Sequence, residues 1–383
     1  MKTYSLLFII FVASVSMLVT GCEKAEGVVM TENTVKIGVI GPMSGSDGKW
    51  GQSCLEGIKT ALKLQPTLDN GSLIKIIVED DQNQPILAQK ALLKLIEDDA
   101  VSCVIIMSNS EVVLTLIELA ETLKTPIFAV TSTHPGIIKN NNYISQLLFD
   151  DHFQASVASL YVRDELLAER VGVVIDEKNP HSEYLARQFI RKFTSSGGIC
   201  VELSVNNRNE ELSSSLKSLQ IQKINFLYVP LDAEHVITIA RLLQQADYHP
   251  VMMGSDGLQA MILLQYPEAL SLVNGMLATD PYSSTISPTN YGKKIQSQFQ
   301  KKFSTPGTVL AAQGAEGTAI VLSAINRCLE QSDRSCINQM LRSTKDFVGF
   351  MGKISIDENG KAERPIFINT VDNSKLRSVV KVY

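Results

Sequence analysis

The feature that most constrains this chain is a repeated alternation of continuous apolar segments with amphipathic segments of helical period. The apolar segments are short and rich in valine and isoleucine, as expected of strands buried on both faces of a parallel sheet. A first series has strands predicted over residues 35–40, 73–78, 101–107 and 126–130, with helices between them. This βαβα order requires a parallel sheet with helices on both faces, so we predict an α/β fold class.

A second series of the same kind begins near Asp150, with strands predicted over residues 171–175, 200–205, 226–229 and 251–254. The order then changes, because a strand over 275–279 is followed by helices over 291–303 and 311–329 and by strands over 350–357 and 366–371. A chain of 383 residues is also long for a single core, since domains usually hold about 100–200 residues. Two α/β lobes are therefore expected.

Composition argues against nucleic-acid and metal binding. The formal net charge is −5 and no run of lysine or arginine is long enough to track a phosphate backbone. Neither Cys-x-x-Cys pairs nor a His/Cys spacing suited to zinc occurs, and the five histidines are scattered. We therefore predict no metal, no cofactor and no nucleic-acid partner.

The first residues have the features of an export signal. Lys2 is followed by an apolar run over residues 6–15 and then by Val-Thr-Gly before Cys22. This resembles a bacterial lipoprotein signal, whose peptidase needs small residues before the cysteine. The alternative is a plain signal anchor, but the run is short for a bilayer span of about 20 residues. We expect a signal peptide over 1–21, a lipid-modified Cys22, and a polar tether over 22–33.

Five cysteines remain after Cys22, so at least one is unpaired within a monomer. Cys328 and Cys336 flank the short polar loop LEQSDRS between two predicted helices, and they are the pair expected to form a disulfide. Closing so small a loop would stabilise the fold by about 2–3 kcal/mol. The spacing leaves the pairing of the other three open, namely Cys54, Cys103 and Cys200.

The turn after the first strand is unusually long and rich in glycine. It carries Gly41, Gly45 and Gly48, and Trp50 is expected to be an exposed aromatic on it. Such turns lie at the carboxyl ends of the strands, where open α/β sheets bind ligands. The alternative is that the glycines only shape the turn. Neither dinucleotide nor P-loop spacing is present, so a nucleotide site is not predicted.

Taken in order, several segments resemble the type I periplasmic solute-binding proteins, specifically the leucine/isoleucine/valine-binding branch. They are IGVIGPMSGSDGKWGQSCLEGIKTAL, SNS before a helix, TPIFAVTSTHP, YVPLDAEH, MGSDG and GKISIDENGKA. No single segment is decisive, but their order and spacing extend over about residues 35–379, behind a lipoprotein-like signal.

The resemblance implies two flavodoxin-like lobes joined by three crossovers, near residues 149–152, 278–282 and 350–353. The first lobe would contain residues 34–149 and 280–350, and the second 150–279 and 351–383. It also implies a monomer outside the cytoplasm, in the periplasm or at the cell surface, anchored through Cys22. There it would close about a small amino-acid-like ligand and deliver it to an ABC permease.

An amino acid presents a carboxylate and an ammonium, and burying either without a partner is costly. Ser110 precedes a predicted helix, where backbone N–H groups favour an anion; its alternative role is a plain N-cap. The resemblance makes Ser110 the carboxylate-binding serine, Thr133 a binding threonine, and Thr131 the residue whose backbone carbonyl accepts from the ammonium. It makes Asp256 the acidic partner of the ammonium, where the leucine-type proteins carry Glu; alternatively Asp256 is only a turn residue.

Three further positions are expected to shape specificity. Trp50 stands where the family has a tyrosine and would cover the ligand. His181 stands where many members have a tyrosine, and Asp232 where an aromatic is common; alternatively both are only solvated residues of the wall. Because these two residues add polarity, we expect a polar amino acid or a related amide as the ligand, not leucine.

Two other functions compete with transport. Ser110, His181 and Asp256 are the residue types of a hydrolytic triad, but no G-x-S-x-G elbow occurs and the three would come from two lobes. An enzyme is therefore not predicted. The stronger alternative is a binding protein of the same fold that reports its ligand to a membrane receptor or kinase, which this chain's residues alone do not distinguish from transport.

Overall fold

The computed structural model describes residues 34–382 apart from 207–208, 284, 287, 304–307, 331–332 and 373–374. The predicted signal peptide, Cys22 and the tether lie outside the described residues. The first sheet has five parallel strands in the order β2-β1-β3-β4-β5. These are β1 (Thr34–Gly41), β2 (Leu73–Asp80), β3 (Cys103–Ile106), β4 (Ile127–Ala129) and β5 (Ile144–Gln146).

Four helices alternate with these strands: α1 (Gly48–Leu64), α2 (Pro85–Glu97), α3 (Ser110–Leu114) and α4 (Ile117–Leu123). A single helix was predicted over 111–123, but the structure divides it at Thr115, whose hydroxyl donates to the carbonyl of Val112 at 2.7 Å. The loop before α1 is also shorter than predicted. Because α1 begins at Gly48, Trp50 lies in its first turn.

The chain then enters a second sheet, with parallel strands β6 (Arg170–Ile175), β7 (Ile199–Ser204), β8 (Phe226–Tyr228), β9 (Val251–Gly254) and β10 (Leu277–Asp280). Its helices are α5 (Asp151–Leu160), α6 (Pro180–Ser195), α7 (Asn209–Ile221), α8 (Ala233–Gln245) and α9 (Leu258–Gln265). A π turn over Tyr161–Glu165 follows α5, and a 3-10 segment over Pro267–Val273 follows α9.

After β10 the chain returns to the first core. Helices α10 (Asn290–Phe303), α11 (Val309–Asn326) and α12 (Arg334–Arg342) are followed by a small antiparallel sheet of β11 (Phe347–Val348), β12 (Lys353–Ile356) and β13 (Ala362–Glu363). Helix α11 packs closely on α1, because Gly57 and Gly314 leave room at the crossing. A Cβ atom added at Gly57 would lie 1.9 Å from the carbonyl oxygen of Ala311.

The last strands, β14 (Ile366–Asp372) and β15 (Lys375–Val382), join the second sheet in antiparallel order, giving β15-β14-β10-β9-β8-β6-β7. Ile354 and Ile356 of the small sheet pack in the same core as Ile37 of β1. The chain therefore passes into the second sheet between Glu363 and Ile366, later than the third crossover expected near residues 350–353. The assignment of residues to two lobes stays a prediction.

A buried ion pair lies where the chain passes between the sheets. Arg364 Nη1 donates to Glu316 Oε2 at 2.8 Å, and both side chains are almost fully buried. Glu316 also accepts from the Tyr282 hydroxyl and the Phe350 amide. Arg364 donates in addition to the backbone carbonyls of Leu147 and Pro281. One network thus ties together the segments after β5, after β10 and before β14.

The α/β fold class is confirmed, and both sheets have parallel cores. Cys328 and Cys336 form a disulfide, with Cα atoms 5.9 Å apart, while Cys54, Cys103 and Cys200 are free thiols. Within the described part of the chain, no helix combines the length and apolar character that a membrane crossing requires.

Candidate functional site

A cavity of about 340 Å³ lies between the carboxyl ends of the two sheets. Its walls come from the loops and helix starts that follow β1, β3 and β4 on one side and β6, β8 and β9 on the other. The structure brings together on this cavity all seven residues predicted to touch a ligand. They are Trp50, Ser110, Thr131, Thr133, His181, Asp232 and Asp256.

The wall from the first sheet is rich in hydroxyl groups and backbone donors. Asn109 caps α3 by accepting from the Val112 amide at 3.0 Å, so Ser110 is not the N-cap but the first helical residue. The buried Ser110 hydroxyl accepts from the amides of Thr133 and His134, both at 3.3 Å. No described residue accepts a hydrogen bond from this hydroxyl, so its proton can be donated to a ligand. The side-chain hydroxyl of Thr131 donates to the carbonyl of Ser108 at 3.0 Å.

Trp50 contributes an aromatic surface to the same wall. The residue was predicted to be exposed on a loop, but it is half-buried in the first turn of α1, where it packs against the first core. Its indole Nε1 is buried and has no hydrogen-bond partner among the described residues. The ring is therefore held in place by packing, at the edge of the cavity.

The wall from the second sheet is organised by carboxylates and one glutamine. The Gln154 amide nitrogen donates to Asp256 Oδ1 at 2.8 Å and to Asp151 Oδ1 at 3.3 Å. Gln154 Oε1 accepts in turn from the Asp256 amide at 2.9 Å and from the Thr279 hydroxyl at 2.6 Å. Because every polar group of Gln154 is engaged, both carboxylates are held at fixed positions beneath the cavity.

His181 forms an ion pair with the fully buried Asp151, with 3.1 Å between Nδ1 and Oδ2. Burial disfavours the charged imidazolium, but attraction to Asp151 and, to a smaller extent, Asp256 outweighs it and raises the pKa of His181 to about 9. Burial also raises the pKa of Asp256 to about 6, with repulsion from Asp151 adding to the effect and attraction to His181 opposing it. At neutral pH Asp256 is therefore mostly ionised and His181 is protonated.

Asp232 has a mainly local role. Its carboxylate caps α8 by accepting from the His235 amide at 2.9 Å, and its other oxygen lies 2.9 Å from His235 Nδ1. Burial opposes ionisation, but the bonds from His235 outweigh it and hold the pKa of Asp232 below its usual range. Because its own helix satisfies both oxygens, Asp232 has less to offer a ligand than Asp256.

The two walls touch each other around the cavity. The Thr133 hydroxyl lies 3.4 Å from His181 Nδ1, and the rings of His134 and Tyr184 meet edge to face at 5.0 Å between centroids. On the opposite side Gln265 donates to the carbonyl of Ser46 at 2.7 Å. These contacts join the two walls beside the cavity.

Sequence reasoning missed several residues of the site. Asp151 and Gln154 lie on α5 just after the chain enters the second sheet, and Gln313 is a buried glutamine on the otherwise apolar face of α11. The available signals were the Asp doublet at the start of α5 and a glutamine at a core position of α11. Neither signal says which distant segment the side chain will meet.

The three residues considered for a hydrolytic triad, Ser110, His181 and Asp256, all line the cavity. His181 contacts Asp151 and Thr133, and among the described residues no hydrogen bond joins it to Ser110, so the three candidate triad residues are not linked. Asp151, His181 and Asp256 offer atoms within 4.8 Å of one another, a spacing that could hold a cation. In the structure the His181 imidazole already pairs with one of these carboxylates. The site is suited to holding a polar ligand between opposed donors and acceptors.

Residues 34–375 match the family model described as periplasmic binding protein. Among solved structures, the leucine-binding protein LivK of Thermotoga maritima is similar, at 26% identity and a TM-score of 0.84, with 91% of this chain and 98% of that chain covered. The branched-chain amino-acid binding protein LivJ of Streptococcus pneumoniae, in complex with isoleucine, is 20% identical with a TM-score of 0.81, covering 91% of this chain and all of that one.

A solute-binding protein of Rhodopseudomonas palustris, in complex with 3,4-dihydroxybenzoic acid, has a similar fold. It is 20% identical with a TM-score of 0.78, and the match covers 91% of this chain and 97% of that one. No curated protein sequence matches this chain. Proteins of the same fold thus bind ligands of different chemistry, and the residues of the cavity must decide between them.

Proposed function

This chain belongs to the periplasmic binding protein family, and we propose that it captures a small amino-acid-like ligand in the cavity and delivers it to an ABC importer. The family's members and the similar structures are solute-binding proteins, and this chain is one of them. The choice of an amino acid rests on the Asp256 carboxylate on one wall of the cavity and on the donors at Ser110 on the other.

The observation that carries the proposal is the carboxylate of Asp256. It is held by Gln154 on one side of the cavity, and the hydroxyls of Ser110 and Thr133 line the other side. An α-ammonium placed at Asp256 would neutralise a carboxylate whose ionisation burial opposes. A carboxylate placed at Ser110 would meet the first N–H groups of α3, which have no acceptor within the helix. An amino acid supplies both charges in one molecule.

A ligand that is only an anion fits this cavity less well. The aromatic acid bound by the similar Rhodopseudomonas protein has no cation to offer to Asp256. Burying an unpaired carboxylate next to a second anion is costly, since both lose solvent and repel each other. In the proposed pose Thr131 would offer its backbone carbonyl to the ammonium, and Trp50 would cover the ligand.

We further propose that the two sheets belong to two lobes that close about the ligand. The contact of Thr133 with His181 and that of Gln265 with Ser46 would then form only on closure. Ligand binding would shift an equilibrium between open and closed forms by its preference for the closed one. Export with a lipid anchor at Cys22, a monomeric state and an ABC permease partner complete the proposal.

The experiment is a thermal-shift screen against amino acids, amides and small carboxylates. A ligand that binds only the folded state stabilises it by about 2.7 kcal/mol at 100 times its Kd, and this stabilisation raises the melting temperature. We expect shifts for α-amino acids that disappear when the amino group is replaced by hydrogen. A shift caused instead by benzoate or a hydroxybenzoate, with none from any amino acid, would overturn the proposal.

A further inference from the structure

The cavity carries an excess of negative charge that an α-ammonium alone does not balance. Five carboxylates line it, on Asp47, Glu111, Asp232, Glu234 and Asp256. Among the described residues that line it there is no lysine and no arginine, and His181 is the only group that can be positive. The imbalance exceeds the single carboxylate that the proposed function uses.

Two of the five carboxylates have partners within the protein. Asp232 is paired with His235, and Asp256 is held by Gln154 near the imidazolium of His181. The remaining three are Asp47, Glu111 and Glu234, and none of them forms an ion pair with a described residue. Among the described residues, the Asp47 carboxylate accepts one hydrogen bond, from the neutral side-chain amide of Asn83 at 2.7 Å. The charges come from both walls and face one cavity.

A second observation points independently to a ligand rich in N–H donors. Gln313 lines the cavity and is 1% exposed, yet its carbonyl oxygen has no hydrogen-bond partner among the described residues. A buried acceptor without a donor is unfavourable until something supplies one. Two aromatic rings, Trp50 and Tyr266, line the same space and can offer their faces to a cation.

We propose that the ligand carries a second cationic nitrogen, an ammonium or guanidinium on its side chain, in addition to the α-ammonium. The inference rests on the proposed function, because it places the amino-acid moiety between Ser110 and Asp256. The side-chain cation then meets the carboxylates of Asp47, Glu111 and Glu234, the Gln313 carbonyl, and the aromatic rings. A branched aliphatic side chain would offer these groups no partner, and an acidic one would be repelled by the carboxylates.

The test compares ligands that differ only in the side-chain charge. Calorimetric titration at low ionic strength would use L-lysine against L-norleucine, L-arginine against L-citrulline, and L-isoleucine and L-glutamate as further probes. We expect each cationic ligand to bind at least about tenfold more tightly than its neutral match, since several weak ion pairs and a cation–π contact add up. The ratio should shrink as salt is raised.

The outcomes separate the two proposals. If norleucine or isoleucine binds as tightly as lysine, the proposal of a second cationic nitrogen is wrong, while the proposal of amino-acid capture is retained. Cadaverine or agmatine binding more tightly than lysine or arginine would support the cationic site and overturn the amino-acid moiety. An absence of binding by every amino acid, with the protein shown to be folded by circular dichroism, would overturn both.

Variants locate the second cation. Glu111→Gln and Glu234→Gln should each weaken lysine binding by about two- to fivefold, because each removes one exposed carboxylate. Norleucine has no side-chain charge, so its affinity should fall less than that of lysine in both variants. Glu97→Gln, an exposed position at the end of α2 that does not line the cavity, is the matched control. If the cavity variants change lysine affinity no more than this control, the carboxylates do not recognise the ligand.

Discussion

Replacing Glu316 with glutamine should destabilise the protein strongly, although Glu316 does not line the cavity. Glu316 balances Arg364, and both side chains are almost fully buried, with 2.8 Å between Nη1 and Oε2. The substitution keeps the shape but removes the charge, leaving the guanidinium buried without a counter-ion. Breaking a buried pair in this way costs about 3–5 kcal/mol, a large part of the roughly 5–15 kcal/mol that stabilises a typical domain.

The measurement is equilibrium unfolding in urea, followed by far-ultraviolet circular dichroism. The matched control is Glu202→Gln, because Glu202 pairs with Arg187 at the surface, where both side chains are more than 40% exposed. That change should cost about 0–1 kcal/mol. A loss for Glu316→Gln within about 1 kcal/mol of the control would refute the reasoning, since Arg364 would then be compensated by solvent or by the carbonyls around it.

Three further predictions concern the cavity. The free energy of unfolding should fall by up to about 3 kcal/mol as pH rises from 6.5 to 9, because folded His181 has a pKa of about 9 and loses its ion pair with Asp151 on deprotonation. Melting curves recorded across this pH range should show the fall, and the pH dependence should be smaller in His181→Gln. Affinity for an amino acid should fall as pH drops through about 6, where Asp256 becomes protonated. An affinity that stays constant between pH 7 and 5 would contradict the pairing of Asp256 with the ligand's ammonium. Because Trp50 is the only tryptophan, saturating ligand should change the intrinsic fluorescence. An unchanged spectrum would indicate that Trp50 does not contact the ligand.

The sequence predicts the architecture well, because strands buried on both faces must be continuously apolar and cannot be confused with loops. Local breaks are harder to predict. The apolar pattern continues through residues 110–123, so nothing in it announces that Thr115 ends α3. Likewise, glycine at position 48 indicates a loop, whereas the structure begins α1 there.

The candidate site was predictable where a residue follows a strand, as Ser110, Thr133 and Asp256 do. The groups that hold these residues were not predictable. Gln154 clamps Asp256 across 102 positions of sequence, and the pairing of Glu316 with Arg364 depends on where the chain crosses between sheets. Such contacts are fixed by topology, and hydrophobic periodicity contains no information about them.

The central claim is that Asp256 holds the ammonium of an amino acid, and one calorimetric comparison tests it most directly. The amino acid that gives the largest thermal shift is titrated into the unmodified protein, into Asp256→Asn, and into Asp164→Asn, which removes an equal charge at an exposed position away from the cavity. We predict a loss of about 3–5 kcal/mol for Asp256→Asn, since it leaves a buried ammonium unpaired, and no measurable loss for Asp164→Asn. A loss below about tenfold for Asp256→Asn, or equal losses for the two variants, would contradict the claim.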